Sequence, residues 1–257
     1  MVELDRYLAL ATLLADAAGE AIRPHFRQPL AVDDKPDLSP VTIADRAAEM
    51  AMRRLIAAHF PEHGIFGEEF GREREGADFT WVLDPIDGTK SFISGVPLFG
   101  TLIALMHRRR PILGIIDQPI SRERWIGASG RPTTLNGTPI RCRPCSTLAA
   151  ATVFSTSPDM FKGDDAAAHA RVAAAAKLVR FGADCYAYGL LALGSIDLVV
   201  EASLKAYDFS AMAPIVEGAG GVASDWRGAK LTLASDGRVV VAGDRRAHQQ
   251  ALALLAP

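Results

Sequence analysis

The stretch Phe79-Thr80-Trp81-Val82-Leu83-Asp84-Pro85-Ile86-Asp87-Gly88-Thr89 is where the chain changes its hydrophobic period. Phe79–Leu83 reads as a short strand broken by Asp84-Pro85, and two carboxylates follow it, three residues apart across a proline. Before this stretch the pattern is helical. Residues 3–27 place Leu4, Leu8, Leu14, Ala18, Ile22 and Phe26 near helical spacing, with Pro24 set to bend or end the helix. Residues 32–39 (VDDKPDLS) read as a polar loop or short hairpin. A second helix runs from about Thr42 to His59, with Ala48, Met52, Leu55 and Ile56 on its inner face, and Pro61 ends it.

After this stretch the period is that of a sheet. Leu98–Met106 and Ile112–Ile116 are apolar runs joined by His107-Arg108-Arg109-Arg110, which reads better as a solvated hairpin turn than as a phosphate or nucleic-acid site. Arg124–Ala128 supplies the next strand of an antiparallel meander, and Leu135-Asn136-Gly137 a tight turn. The second half alternates. Helices are expected at Ala166–Val179 and Cys185–Leu193, a strand at Ile196–Ala202, and a helix from Asp208 to Glu217 kinked by Pro214. Two strands between Ala223 and Ala242 surround Ser235-Asp236-Gly237, and a last helix covers 244–255. This order predicts a layered α/β protein with a mixed sheet. It is one continuous unit, with an N-terminal half to about residue 145 and a C-terminal half from about 146.

Composition removes several classes of function. The chain of 257 residues has 28 Lys+Arg against 30 Asp+Glu, a near-neutral balance that argues against a nucleic-acid binder. With 49% apolar and 23% charged residues it is not a disordered protein, and at this length it buries roughly 70–75% of its unfolded surface without staples. No apolar run reaches the roughly 18–20 residues that span a bilayer. The start Met1-Val2-Glu3-Leu4-Asp5 is acidic, unlike a signal peptide, so a cytoplasmic protein is expected. Three cysteines suit a reducing compartment. Cys142 and Cys145 form a C-x-x-C with no second pair, and Cys185 is remote in sequence, so an inert reading outweighs a redox or zinc site.

The informative residues are acidic and stand at element ends. Glu68-Glu69 follow Gly67 in a loop, Asp84 and Asp87 follow a strand, and Asp208 stands at a helix start. Singly, each has a plain explanation: a solvated pair, an Asp-Gly turn, an N-cap. Together, Asp84 and Asp87 converge on one point, and like charges that close repel unless a cation lies between them. An all-oxygen set without nearby His or Cys favours a hard cation, Mg2+ before Ca2+ or Zn2+. Mg2+ held by carboxylates and substrate phosphate points to phosphoryl transfer or hydrolysis. Gly88 lets a phosphate approach the backbone.

Gly67-Glu68-Glu69, Trp81-Val82-Leu83-Asp84-Pro85-Ile86-Asp87-Gly88-Thr89, Tyr207-Asp208 and Glu217-Gly218-Ala219-Gly220-Gly221 occur in order over nearly the whole chain. In this the chain resembles the inositol monophosphatase superfamily. The resemblance implies a layered αβαβα fold, lithium-sensitive phosphomonoester hydrolysis with two or three Mg2+ per active site, and a homodimer. By position, it implies one metal on Glu68, Asp84 and the carbonyl of Ile86, and a second on Asp84, Asp87 and Asp208. Glu68 and Thr89 would position the attacking water, with Asp45 behind them beside Thr42 in Val41-Thr42-Ile43-Ala44-Asp45. The amides of Gly88 and Thr89 would receive the phosphate.

The positions that contact the alcohol in that superfamily correspond to Asp184 and Glu201. Two carboxylates at the leaving group suit a cationic substrate, because a buried unpaired carboxylate is costly. Asp184-Cys185-Tyr186-Ala187-Tyr188, the segment 200–208 and Gly88-Thr89-Lys90-Ser91-Phe92-Ile93-Ser94-Gly95 resemble the histidinol-phosphatase branch, with Ala206 where Pro is expected. The expected activity is therefore hydrolysis of histidinol phosphate, with inositol 1-phosphate as the alternative. A phosphate-binding regulatory protein is the reading outside enzymology, and it has no need of the pair Glu68 and Thr89.

Overall fold

A computed structural model of the chain describes residues 2–29, 32–34 and 40–256. Helix α1 (Val2–Ile22) gives way to a 3-10 turn, Arg23–His25, where Pro24 can no longer continue the helical hydrogen bonds. Of the expected loop or hairpin at 32–39, strand β1 (Val32–Asp34) pairs antiparallel with β2 (Pro40–Thr42), and residues 35–39 lie outside the described ones. Helix α2 (Ile43–His59) starts at the N-cap Thr42 as expected. Thr42 and Asp45 close a capping box there, a device that contributes about 1 kcal/mol.

Two sheets follow. The first contains β3 (Gly64–Gly67), β4 (Gly71–Glu73), β5 (Phe79–Asp87), β6 (Gly100–His107), β7 (Arg110–Gln118), β8 (Glu123–Ala128), β9 (Thr134–Leu135) and β10 (Thr138–Pro139). Its order is β10-β9-β8-β7-β6-β5-β3-β4, an antiparallel meander except where β3 runs parallel to β5. A five-residue helix, α3 (Thr89–Ile93), follows β5. The meander turns are the expected ones. Arg108 and Arg109 both take positive φ, as do Asn136 and Gly137, the geometry that matches the twist of a two-residue hairpin.

The second sheet is built from β11 (Thr152–Ser155), β12 (Leu178–Phe181), β13 (Leu198–Glu201), β14 (Val222–Asp225) and β15 (Val239–Ala242), in the order β12-β11-β13-β15-β14. Between and around these strands lie α4 (Asp164–Ala175), α5 (Tyr186–Ala192), α6 (Ala206–Phe209), α7 (Met212–Gly218) and α8 (Arg245–Leu255).

Three separate apolar clusters reveal five layers. Trp81, Leu83, Ile103 and Leu105 face α1 and α2 on one side of the first sheet. From the other side Val82, Leu102, Ala104 and Met106 meet Tyr188, Leu191, Met212 and Ile215 of α5 and α7, with Val199 and Val241 of the second sheet beyond. Val200 and Val240 then face α4 and α8 through Ala168, Val172, Ala247 and Ala251. Strict alternation along apolar strands is what a sheet covered on both faces requires. The architecture is the layered αβαβα arrangement.

Four local expectations are corrected. The strand begun at Phe79 does not stop at Asp84-Pro85; it continues to Asp87 through a bulge opposite β6, one of the few places a strand tolerates proline. The helix expected over Ala166–Val179 ends at Ala175, and Leu178–Phe181 pairs with β11 as an edge strand, because alanine-rich periodicity ran on into a β-branched segment. The helix expected from Asp208 to Glu217 is two helices, α6 and α7, with the break at Ser210-Ala211. Pro214 would collide with the carbonyl of Ser210 in a continuous helix, and instead falls in the first turn of α7 without kinking it. The strands β14 and β15 are joined by a long excursion, not a turn at 235–237.

Helix α7 rests directly on backbone. A Cβ at Gly114 would stand 2.0 Å from the carbonyl oxygen of Ala211, and one at Gly127 2.4 Å from Cα of Ile215. Gly114→Ala should therefore destabilise the protein by about 1–3 kcal/mol or more, since neither β7 nor α7 can yield by a rotamer change. Equilibrium urea unfolding checks this, and an unchanged midpoint would refute the seat.

Candidate active site

Strands β3 and β5 are parallel, and β3 ends at Gly67 opposite Leu83. The chain beyond both strands therefore opens at one sheet end, the usual place for a site in such sheets. Asp84 shares a face with Val82, pointing away from the α1/α2 layer. On a regular strand a residue three positions on would point the opposite way. The bulge between Asp84 and Asp87 supplies one extra residue, so Asp87 returns to the face of Asp84 while Ile86 packs into the α1/α2 core. Proline thus marks a bulge that aligns two carboxylates.

Asp208 comes from the other side, on the short helix α6, where its Oδ2 accepts a hydrogen bond of 2.6 Å from the amide of Lys205. It is the third residue of that helix and not its cap. Carboxylate oxygens of Asp84, Asp87 and Asp208 all lie within 4.8 Å of one another. The amide of Cys185 donates to Asp87 Oδ2 at 2.7 Å. The negative charges of Glu68 and Asp208 also bear on Asp84, an arrangement that carboxylates tolerate only with a proton or a cation among them. Glu68 is delivered by the turn after β3, its amide donating to Leu83 O at 3.1 Å.

Three ionised carboxylates this close repel by about 3.5 kcal/mol per pair at an effective dielectric near 20, in total comparable with a domain's whole stability. Burial first, then the charges of Glu68, Asp87 and Asp208, push the Asp84 carboxyl well above its usual range. Burial and Asp208 do the same to Asp87, and burial raises Asp208 to about 7. Asp84 Oδ1 is buried without a hydrogen-bond partner. An orphaned anionic oxygen in an all-oxygen donor set fits a hard divalent cation.

The remaining expected residues surround this cluster. Asp45 is buried, with Oδ2 bound by the amide of Thr42 at 2.9 Å and its hydroxyl at 2.6 Å, and Oδ1 without a partner. Burial, opposed by Thr42 and aided by the charge of Glu68, raises it to about 6. Thr89 Oγ1 donates to the carbonyl of Ile86 at 3.1 Å. Gly88 has φ +87°, and a Cβ there would stand 2.9 Å from the Asp184 carboxyl carbon. The close approach of Asp184 and the backbone conformation both require glycine.

Asp184 does not cap α5; its Oδ2 accepts from Ser91 Oγ at 2.6 Å. It ends a run of three left-handed residues, Gly182, Ala183 and Asp184, a strained backbone of the kind found at functional sites. Glu201 is fully buried at the end of β13, with Oε1 bound by the amide and hydroxyl of Thr156 and Oε2 by the Tyr188 hydroxyl. Burial raises it to about 6. The charges of Asp184 and Glu201 both reach Asp87.

From residue 3 to residue 256 the sequence matches the inositol monophosphatase family. The chain belongs to that family. An inositol monophosphatase from Zymomonas mobilis is 49% identical and superposes with a TM-score of 0.90 over 98% of each chain. The bifunctional phosphatase IMPL2, chloroplastic, of Arabidopsis thaliana is 52% identical over 259 residues, 97% of this chain and 75% of that protein. A histidinol-phosphatase of Chlorobaculum parvum is 39% identical over 235 residues, 90% of each chain. By that membership the chain is a phosphatase.

Sequence reasoning missed Ser91, Thr156 and Tyr188, the partners of Asp184 and Glu201. Only Tyr188 and Ser91 sat inside quoted motifs, and nothing local linked Thr156 to a residue 45 positions away. Among the described residues Cys142, Cys145 and Cys185 are free thiols, and burial raises all three, as an inert role for the C-x-x-C requires.

Raised carboxyls mean that the native, cation-free chain keeps protons that the unfolded chain releases near pH 4. Their contribution to stability is present below that pH and is lost as pH rises through 6 to 7. A cation that replaces these protons should stabilise more as they leave. The rise in melting temperature on adding Mg2+ to chelator-treated protein should thus be larger at pH 8 than at pH 5. Comparing with and without Mg2+ at one pH cancels the remote buried histidines, and equal shifts at both pH values would refute the coupling.

Proposed function

We propose that the chain is a Mg2+-dependent phosphomonoesterase whose preferred substrate is histidinol phosphate, hydrolysed to histidinol and phosphate. The observation that carries the substrate is the pair Asp184 and Glu201, two carboxylates beside the Asp84–Asp87–Asp208 cluster but outside it. A leaving group bearing an ammonium and a basic imidazole offsets their charge, whereas a neutral polyol leaves it uncompensated. The histidinol-phosphatase of Chlorobaculum parvum supports the same reading. Inositol 1-phosphate is the second reading, favoured by the likeness to the Zymomonas inositol monophosphatase. The resemblance also carries the proposals of a homodimer and, with the three unbridged thiols, a cytoplasmic location.

Mg2+ would be held by Glu68, Asp84, the carbonyl of Ile86, Asp87 and Asp208. When bound it supplies charge neutralisation at the phosphate and a more acidic water. The chain does the rest. The amides of Gly88 and Thr89 hold phosphate oxygens. Glu68 accepts a hydrogen bond from the attacking water and the Thr89 hydroxyl fixes its direction, with the unpartnered Oδ1 of Asp45 behind them to receive a further hydrogen bond. Asp184, steadied by Ser91, and Glu201, steadied by Thr156 and Tyr188, orient the leaving alcohol.

Phosphate release from histidinol phosphate and inositol 1-phosphate, side by side with Mg2+, tests the assignment. Asp84→Asn should abolish turnover on both while the fold persists; near wild-type turnover at saturating Mg2+ would remove Asp84 from the site. Thr89→Ala should cut turnover by about 10²-fold while sparing Mg2+ affinity. Asp184→Asn and Glu201→Gln should each lower kcat/KM for histidinol phosphate by roughly ten- to a hundredfold, the share of a charge-assisted hydrogen bond, and change a neutral phosphomonoester little. Equal losses on both substrates would favour inositol phosphate.

A further inference from the structure

Helix α2 carries a buried ion pair that has no part in the site described so far. Glu49 is completely buried and Arg53 nearly so, four residues on along the same face. Arg53 Nε donates to Glu49 Oε1 at 2.8 Å. The rest of the pair is directed at one place, the turn that follows β3. Glu49 Oε2 accepts from the amide of Glu69 at 2.7 Å, and Oε1 from that of Phe70 at 3.1 Å. Arg53 donates to the Gly71 carbonyl at 2.5 Å and to Glu73 at 2.7 Å. A Cβ on Gly67 would stand 1.9 Å from Glu49 Oε1, so the carboxylate is pressed directly against the backbone leading into Glu68.

A buried ion pair is a poor source of stability, because desolvating both charges cancels most of their attraction. What this pair does supply is position. Glu68 has its own amide fixed on β5 through Leu83, and the next two amides fixed on α2 through Glu49. Its carboxylate must lie against Asp84, where like charge pushes it away unless a cation is bound. Asp45, one turn before Glu49, addresses the same residue from the same helix.

We infer that Glu49 and Arg53 are positioning residues that hold Glu68 in its cation-binding place against the repulsion of Asp84, an inference that rests on Glu68 being a Mg2+ ligand. A purely structural pair would merely staple the β3–β4 hairpin to α2. The two roles separate on Mg2+ affinity, measured by titration calorimetry without substrate, with the melting temperature in chelator recorded for each protein.

Glu49→Gln should weaken Mg2+ binding by about 10- to 100-fold, the usual effect of losing a group that orients a ligand. Arg53→Lys, which keeps the charge beside Glu49 but loses the fork to Gly71 and Glu73, should lose less. In a Glu68→Gln background Glu49→Gln should add no further loss, because its effect runs through Glu68. In the wild-type protein the amides of Glu69 and Phe70 should exchange slowly with solvent deuterium.

Mg2+ affinity within twofold of wild type in Glu49→Gln, despite a lowered melting temperature, overturns the inference. So does an undiminished loss in the Glu68→Gln background. Should Glu49→Gln fail to fold, rapid exchange at Glu69 and Phe70 in wild type or unaltered affinity in Arg53→Lys overturns it equally. Wild-type Mg2+ binding by Glu68→Gln alone removes the ligand role of Glu68 and the inference with it, a result distinct from failure of the clamp, in which Glu68→Gln stays impaired.

Discussion

Three acidic side chains, Asp84, Asp87 and Asp208, meet in a space where their mutual repulsion rivals the stability of a domain, and the charge of Glu68 adds to it at Asp84. Carboxylates would separate if their backbones allowed it, so the surrounding structure is the set of restraints that prevents this. A bulged strand holds Asp84 and Asp87, a short helix folded back on Lys205 holds Asp208, and the turn after a parallel strand holds Glu68. Each restraint fixes the backbone from which its carboxylate projects, and at Asp208 the carboxylate itself. The strain left over is relieved by protons in the cation-free chain and by a cation when one is bound.

The layered fold follows the same need. Segments far apart in sequence reach the cluster because two sheets share a layer of helices between them, so α6 lies over the face of β5 from which Asp84 projects and α7 over β7 and β8. Gly114 and Gly127 let α7 sit on the backbone of β7 and β8, closer than side chains there would allow. On the opposite face, α2 backs the site with carboxylates at successive turns, Asp45 and Glu49. A third group, Asp184 and Glu201, to which we assign substrate choice in our proposal, is steadied by hydroxyls from elsewhere in the chain.

Much of this was legible in one dimension. The motif 81–89 with Glu68 and Asp208 pointed to the family and to a hard-cation site, because the chemistry demands particular residue types at short spacings. Helix α2 with its start near Thr42 and the turns at Arg108-Arg109 and Asn136-Gly137 were legible too, since helical period and tight turns are local features. What escaped was non-local. Leu178–Phe181 is a strand only because β11 is there to pair with it, and the break between α6 and α7 depends on where α7 docks.

By itself, then, the sequence determined the chemical inventory of the site and the layered class of the fold, for these rest on residue identity and hydrophobic period. The tertiary structure alone decided that Asp84 and Asp87 face the same way, through a bulge that reads in sequence as the end of a strand. It alone decided that Asp184 binds Ser91 instead of capping α5, and that Glu201 is gripped by Thr156 and Tyr188. It also decided that Glu49 and Arg53, an ordinary i, i+4 pair on paper, reach across to the turn behind Glu68. The physical reason is common to all of them. A carboxylate's role is set by which donors and charges surround it, and chain segments distant in sequence supply those surroundings.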